Sequence, residues 1–479
     1  TWVDVVNNIV YRVDHRRCSK VMDSELAELE RRRSGSFGWT SSAASSLRRR
    51  SINLSGVLPL QTDEDIESEI VSQAGDIGDR ALRSNNGSEC NSLRLSLDIG
   101  PESRVVIPIP EDASNRVLPD AQPPLEKITS LSVDALVDSS EKSPEIRKEL
   151  PESLKLFSCL THLAVLGIIG VLTRYLLEKL FGPDVIGATS DKSILYPDLP
   201  SNMVGSFLMG WFGFVFKSDI SGLSDLLAIG LTTGFLGSLT TFSGWNQKML
   251  DLSVEGQWVF TFLGFFIGLF LAAFSIIFGV QTANGFKWLL QRQKSSRNVS
   301  NSFSDWKVNT YTGQMAVLVI LLIILGLLWG VSAGLEDSEF DTGSSEAQLW
   351  LACIVGPIGV WIRWYLARLN GCGLGHSGLL KWIPFGTLIA NVSAACVMAA
   401  LATLKKAVKT QTCNTVAAGI QFGLLGCLST VSTFMAEFYA MMQSAHPWRA
   451  YAYAMITILV SFALGTLIYS VPVWTLEFD

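Results

Sequence analysis

Gly237-Ser238-Leu239-Thr240-Thr241-Phe242-Ser243-Gly244-Trp245 stands inside an apolar stretch of membrane-spanning length, yet it is rich in glycine and hydroxyl residues. A second copy, Gly426-Cys427-Leu428-Ser429-Thr430-Val431-Ser432-Thr433-Phe434, follows 189 positions later. The same offset relates Arg174 to Arg363 and Asn202 to Asn391. One offset kept across three separated segments marks a duplicated unit.

The stretch itself is poor helix. Gly234, Gly237 and the consecutive Thr240-Thr241 predict a break, and a broken helix is tolerated in hydrocarbon only where protein or a water-filled path satisfies the freed backbone. Hydroxyls at Thr240, Thr241 and Ser243 offer donors to a dehydrating anion, and Phe242 can present a positive ring edge. Carbonyls freed near Gly237, Ser238, Gly426 and Cys427 have the opposite sign and suit a small cation. Asn202 and Asn391 lie at matched intramembrane positions, where an amide either ties two helices together or donates to an anion. Arg174 and Arg363 each close a Gly-x-x-x-Arg turn, and three readings stay open for them: snorkelling to headgroups, a structural tie, or a vestibule charge.

Outward from this stretch, composition divides the 479 residues. Residues 1–155 carry most of the charge with few apolar runs and read as a mostly disordered tail, with Glu25–Arg33 as a short charged helix and an acidic patch around Asp63–Glu69. Arginine runs before Ser34 and Ser51 resemble basophilic kinase sites or a basic lipid-facing patch. From 156 onward, apolar segments recur, each able to cross roughly 30 Å of hydrocarbon. The first four are Leu156–Phe181, Leu199–Phe216, Leu223–Phe242 and Trp258–Val280. A fifth, around 314–333, is almost wholly apolar, and Leu349–Leu369, Leu380–Leu404, Thr415–Tyr439 and Tyr451–Val471 complete nine.

Charge predicts the orientation. The connector 281–314 is basic and should be cytoplasmic, whereas loop 334–346 is acidic and should lie outside. The N-terminal tail is then cytosolic and the C-terminus extracellular, although Lys405, Lys406 and Lys409 fall outside against the rule. The fifth span inverts the second half relative to the first. The expected fold is an all-α membrane protein of two inverted four-helix repeats, 156–280 and 347–479, joined through 281–346 with its ninth, central linker helix.

Several classes are set aside by the same reading. The eight cysteines are scattered and the four histidines far apart, so neither a disulfide framework nor a zinc site is expected. There is no Gly-x-x-x-x-Gly-Lys-Ser/Thr, and Asp341-Thr342-Gly343-Ser344-Ser345 lies in an acidic loop with no strand-rich domain around it. No enzyme activity, organic cofactor or nucleic-acid partner is expected.

Gly-x-x-x-Arg in the first span of each half, Asn in the next and Gly-x-Leu-Thr-Thr-Phe-Ser in the third together resemble the CrcB/Fluc fluoride-channel family. The whole of 156–475 resembles its duplicated eukaryotic form, the fluoride export proteins (FEX), and the long tail and tryptophan-rich spans resemble plant members. The resemblance implies a passive plasma-membrane fluoride channel, with fluoride and the lipid bilayer as partners and a fused repeat that functions as a monomer. It implies a central structural Na⁺ held by the carbonyls of Gly237, Ser238, Gly426 and Cys427. It also implies pore amides at Asn202 and Asn391, and polar tracks at Thr241, Ser243, Thr430, Ser432 and Thr433. The family motif reads Thr-Phe-Ser-Thr-Phe, and each pore takes the first Phe of one half and the second of the other. Phe242 then joins Phe434 in one intact pore, while Val431 and Trp245 fall together in a degenerate one. A proton-coupled transporter on the same inverted repeat is the alternative.

Overall fold

The computed structural model describes residues 63–75, 151–190, 193–296, 311–340, 344–374 and 378–476. The expected helix at Glu25–Arg33 and both arginine-rich sites lie outside the described residues. Described parts of the chain are essentially all helical. Eight helices are long and apolar enough to cross a membrane, and a ninth span results if the pair Leu199–Val215 and Lys217–Leu223, bent by 67°, counts as one.

The elements are α1 (Asp63–Ala74), α2 (Glu152–Phe181), α3 (Leu199–Met209), α4 (Lys217–Leu223), α5 (Asp225–Ile229), α6 (Gly237–Leu239), α7 (Phe242–Val254) and α8 (Trp258–Ser296). Then come α9 (Tyr311–Glu339), α10 (Ser345–Leu366), α11 (Phe385–Val408), α12 (Gln411–Ile420), α13 (Gly426–Leu428), α14 (Ser432–Met442), α15 (Trp448–Gly465) and α16 (Val471–Leu476). Two features depart from the sequence reading. Residues 63–74, inside the stretch expected to be mostly disordered, form a helix docked on the membrane body. The basic connector is helical through Ser296, because α8 runs on for 39 residues.

The third span of each half is interrupted as its glycines and hydroxyls predict. Helical backbone from Asp225 passes through a wide turn at Gly230–Leu236, stops after Leu239 and restarts at Phe242, with Thr240 and Thr241 extended between. The second half repeats this at Gln421–Leu425, Leu428 and Ser432. Close helix packing holds the breaks: a Cβ on Gly170 or Gly359 would collide with the backbone of Phe235 or Leu424. By contrast, α9 touches protein through α2 and α10 only along a narrow stripe, with Leu318, Leu325 and Ser332 buried at heptad spacing. Its remaining apolar side chains, such as Ile320, Ile323 and Leu327, face outward, as expected of a lipid-facing helix.

Candidate functional site

The two breaks meet at the centre of the molecule and each one completes the other. Thr240 Oγ1 accepts from the N–H groups of Val431 and Ser432 at 3.1 and 3.0 Å. Its counterpart Ser429 Oγ accepts from the N–H groups of Phe242 and Ser243 at 3.2 and 3.0 Å. Each half therefore supplies the N-cap for the other half's second helix segment, satisfying donors that a helix start otherwise leaves unpaired. The remaining hydroxyls close the network: Ser243 lies 2.9 Å from Ser429, and Thr240 lies 3.2 Å from Thr430 and 3.1 Å from Ser432. Thr241 reaches Ser429 at 3.1 Å, and Thr433 is buried beside them. Hydroxyls read from sequence as anion donors are thus bonded to one another and to backbone across the seam.

Both asparagines brace these breaks. Asn202 Oδ1 accepts from Thr241 N–H at 2.9 Å while its amide donates to Thr241 O at 3.1 Å and to Tyr196 Oη at 3.2 Å. Asn391 clamps the Thr430 peptide the same way, at 2.8 and 3.1 Å. Asn202 has both amide protons engaged within the protein, so the helix-tying alternative describes its geometry.

The arginines also act across the seam. Arg174 donates to the carbonyl of Phe422, and Arg363 to that of Thr233 at 2.7 Å, the same contact at the 189-residue offset. Both are buried, and their guanidinium groups lie against Gly426 and Gly237 respectively. Arg174 additionally lines a cavity of about 210 Å³ that reaches Thr241, Gly244, Asp198 and Gly426, so structural and vestibule readings coincide there. An arginine fits this task because its fork reaches several carbonyls from one rigid plane.

The carbonyls expected to hold sodium are indeed released from helical pairing. The N–H groups four residues beyond Gly237, Ser238, Gly426 and Cys427 bond to Asn202, Ser429, Asn391 and Thr240. Peptide oxygens freed in this way are hard donors of the kind that coordinate Na⁺. Cys427 O also accepts from Arg363 Nε at 2.8 Å, so a cation would share the site with a guanidinium. The donor set fits, with that competition.

Between the halves, Phe242 and Phe434 meet edge to face with ring centroids 6.1 Å apart. Trp245 packs on the Phe242 side of this pair: it stacks on Tyr196 at 6.0 Å, touches Phe242 edge-on at 5.7 Å, and its indole fills the space over Gly268. Val431 is buried in the same cluster.

Sequence reasoning missed a second set of polar groups. Glu437, one turn beyond Phe434, is fully buried, and its carboxylate accepts from Thr387 Oγ1 at 2.6 Å, Tyr453 Oη at 2.8 Å and Asn370 Nδ2 at 3.3 Å. From α14 it reaches the first turn of α11 through Thr387, where the helix N-terminus favours negative charge. Tyr453, Thr457 and Ser461 follow at four-residue spacing along one face of α15, all buried. Ser461 Oγ and both amide atoms of Asn246 are buried with no hydrogen-bond partner among the described residues. Asn246 Nδ2 comes close to Gly465, one turn from Ser461. The signal available in sequence was the i, i+4, i+8 row of hydroxyls and the offset that pairs Thr240 with Ser429.

The chain is similar to proteins of one family throughout its membrane body. The family model described as "CrcB-like protein, Camphor Resistance (CrcB)" matches residues 161–280 and again 350–468. The "Fluoride-specific ion channel FluC" of Geotalea uraniireducens (strain Rf4) is 33% identical over 133 residues, covering 27% of this chain and 90% of that protein. The protein of the same name from Escherichia coli O7:K1 is 32% identical over 103 residues, covering 22% of this chain and 76% of its own length. No solved structure matches the chain. Two matches to one family model, on either side of α9 and each containing one of the interlocked breaks, mean that the chain is a member of the CrcB-like family carrying the family's unit twice.

Proposed function

We propose that this protein is a passive, selective fluoride channel, not an enzyme, and that it exports cytosolic fluoride through one conduit. One observation carries the reading: aromatic rings from opposite halves, Phe242 and Phe434, meet edge to face, while the buried Asn246 amide, one turn from Phe242 on α7, and the buried Ser461 hydroxyl on α15 have no hydrogen-bond partner among the described residues. We read this row as the lining of a conduit. Unpaired buried donors are costly, so their presence calls for an occupant that satisfies them. A dehydrated anion does so, with ring edges, amide and hydroxyl protons replacing its water. The seam hydroxyls, the asparagines and the arginines hold the corridor's shape. In this reading the degenerate pathway lies at Trp245 and Val431, and the indole that packs over Gly268 is its plug.

Hydrogen fluoride crosses bilayers as a neutral acid and ionises in a less acidic cytosol, leaving fluoride behind. An inside-negative potential then favours anion exit by about 2.3 kcal/mol per 100 mV. In this reading the halves form the inverted 4+1+4 repeat of the duplicated eukaryotic fluoride exporters, acting as a monomer in the plasma membrane. The N-terminus is cytosolic and the C-terminus extracellular. A sodium ion held by the carbonyls of Gly237, Ser238, Gly426 and Cys427 would supply fixed positive charge that pins the two breaks together.

Glu437 favours a second reading, a proton-coupled transporter, because a buried carboxylate hydrogen-bonded to Tyr453 beside the ring pair can carry a proton. Fluoride efflux from proteoliposomes separates the two. Potassium and valinomycin set the voltage with no proton gradient. Voltage-driven release that excludes chloride is expected; release only under a proton gradient would replace the channel by the transporter.

A further inference from the structure

We propose that α1 is an autoinhibitory lid seated on one mouth of the Phe242/Phe434 conduit, an inference that rests on the channel reading above. Of residues 1–150, only 63–75 are described, and they are bound to the membrane body at both ends of the helix. At its start, Glu67 Oε1 accepts from Ala445 N–H at 2.9 Å, and Oε2 lies 3.4 Å from Arg449 Nη1 and 3.3 Å from His446 Nδ1. At its end, Lys217 of the first half donates to Gln73 O at 2.7 Å. The helix therefore bridges the two halves across the end of the conduit. Val71 is inserted into the same buried cluster as Phe242, Phe434 and Phe438.

Position makes the contact obstructive. Gly75 rests directly on the Glu437 carboxylate: a Cβ there would stand 2.3 Å from Oε1. Glu437 is one turn from Phe434, so the last turn of α1 sits within one helical turn of the ring pair, on the side of the 440–450 loop that Glu67 binds. Charge acts in the same direction. Asp63-Glu-Asp-Ile-Glu-Ser-Glu-Ile-Val-Ser-Gln-Ala74 carries five acidic residues and no basic one, and it repels an anion approaching that mouth. The contacts that hold it are Val71 and Ala74 on the apolar cluster, the Lys217–Gln73 bond and the largely buried Glu67–Arg449 pair, so removing Glu67 or Val71 should release the helix.

The test is voltage-driven fluoride efflux from proteoliposomes containing the full chain, comparing the native protein with Glu67→Ala, Val71→Asp and Gly75→Leu. Glu67→Ala loosens α1 at a contact with Arg449 away from the ring pair, Val71→Asp and Gly75→Leu loosen it at the apolar cluster and at Glu437, and each should raise efflux by about tenfold as the open population grows. A synthetic peptide of residues 63–75 should reverse the gain of Val71→Asp, and Phe434→Ile in the Val71→Asp background should abolish it. Equal efflux from native and lid variants, with monodisperse protein throughout, would overturn the lid while leaving the channel standing. A gain that survives Phe434→Ile would mean a leak elsewhere and would also overturn it. No voltage-driven efflux from any variant would fail the channel reading itself.

Discussion

At equivalent positions the two halves are alike along the seam and unlike along the conduit. The seam pairs Arg174 with Arg363, Asn202 with Asn391, Thr240 with Ser429, and Ser243 with Ser432, and the contacts of these groups to the opposite half and to the Thr241 and Thr430 peptides recur at the 189-residue offset. Around the corridor the pairs diverge. Phe434, Glu437, Tyr453, Thr457 and Ser461 correspond to Trp245, Lys248, Gly264, Gly268 and Ala272. Volume explains the second list: where one half has a phenyl ring beside a threonine, the other has an indole seated on a glycine. A Cβ on Gly268 would stand 2.6 Å from the Trp245 ring, so the small residue is what admits the large one. In the proposed channel, two interlocked breaks build the body, whereas one conduit suffices for transport.

The largest effects are expected where the halves agree. Removing a buried arginine that ties the halves leaves carbonyls unpaired, at a cost of about 1–3 kcal/mol for each. Arg174→Gln and Arg363→Gln should therefore lower the thermal unfolding temperature severely and by similar amounts. A large loss from one and none from the other, in detergent-solubilised protein, would break the symmetry claimed for the seam.

Along the conduit the halves should part. Phe434→Ile should cut fluoride efflux at least about tenfold, equivalent to ~1.4 kcal/mol of barrier, while the positional counterpart Trp245→Ile leaves efflux unchanged in folded protein. Equal losses at both sites would return the second pathway to service. Full activity of Phe434→Ile would remove the ring pair from the mechanism.

Much of the seam was legible because duplication doubles every signal. Arg363 alone is an intramembrane arginine; matched with Arg174 it becomes an exchanged contact. What stayed hidden were roles set by burial direction. Thr240 and Ser432 look like anion donors in a list of residues, yet each spends its hydroxyl on the opposite half's backbone. Glu437 reads as an ordinary acid near a helix end, because its partners Asn370, Thr387 and Tyr453 are distant in sequence. Likewise α1 has weak amphipathic character of its own, and only the surface it meets makes it a docked helix.

Asn246 allows stability and transport to be pulled in opposite directions. Its amide is buried and unpaired among the described residues, so Asn246→Leu removes a desolvation cost of about 1–3 kcal/mol. The variant should unfold at the same or a higher temperature yet pass fluoride several-fold more slowly, because the corridor has lost a donor. A destabilised variant with normal efflux would make the amide a structural group whose partner is a trapped water.

The smallest effect is the most specific test of asymmetry. Replacing Trp245 by Phe and Val431 by Phe restores two aromatic rings to the second pathway and removes the bulk of the indole. If rings alone made a conduit, efflux would approach twice the native value. The α15 row argues otherwise, since Thr457 and Ser461 correspond to Gly268 and Ala272, which carry no hydroxyl. An anion entering such a path would surrender its hydration with few donors in return. Trp245→Phe/Val431→Phe should therefore leave efflux unchanged. A doubling that persists when Phe434→Ile closes the first conduit would show that the rings suffice and that the polar row on α15 serves packing alone.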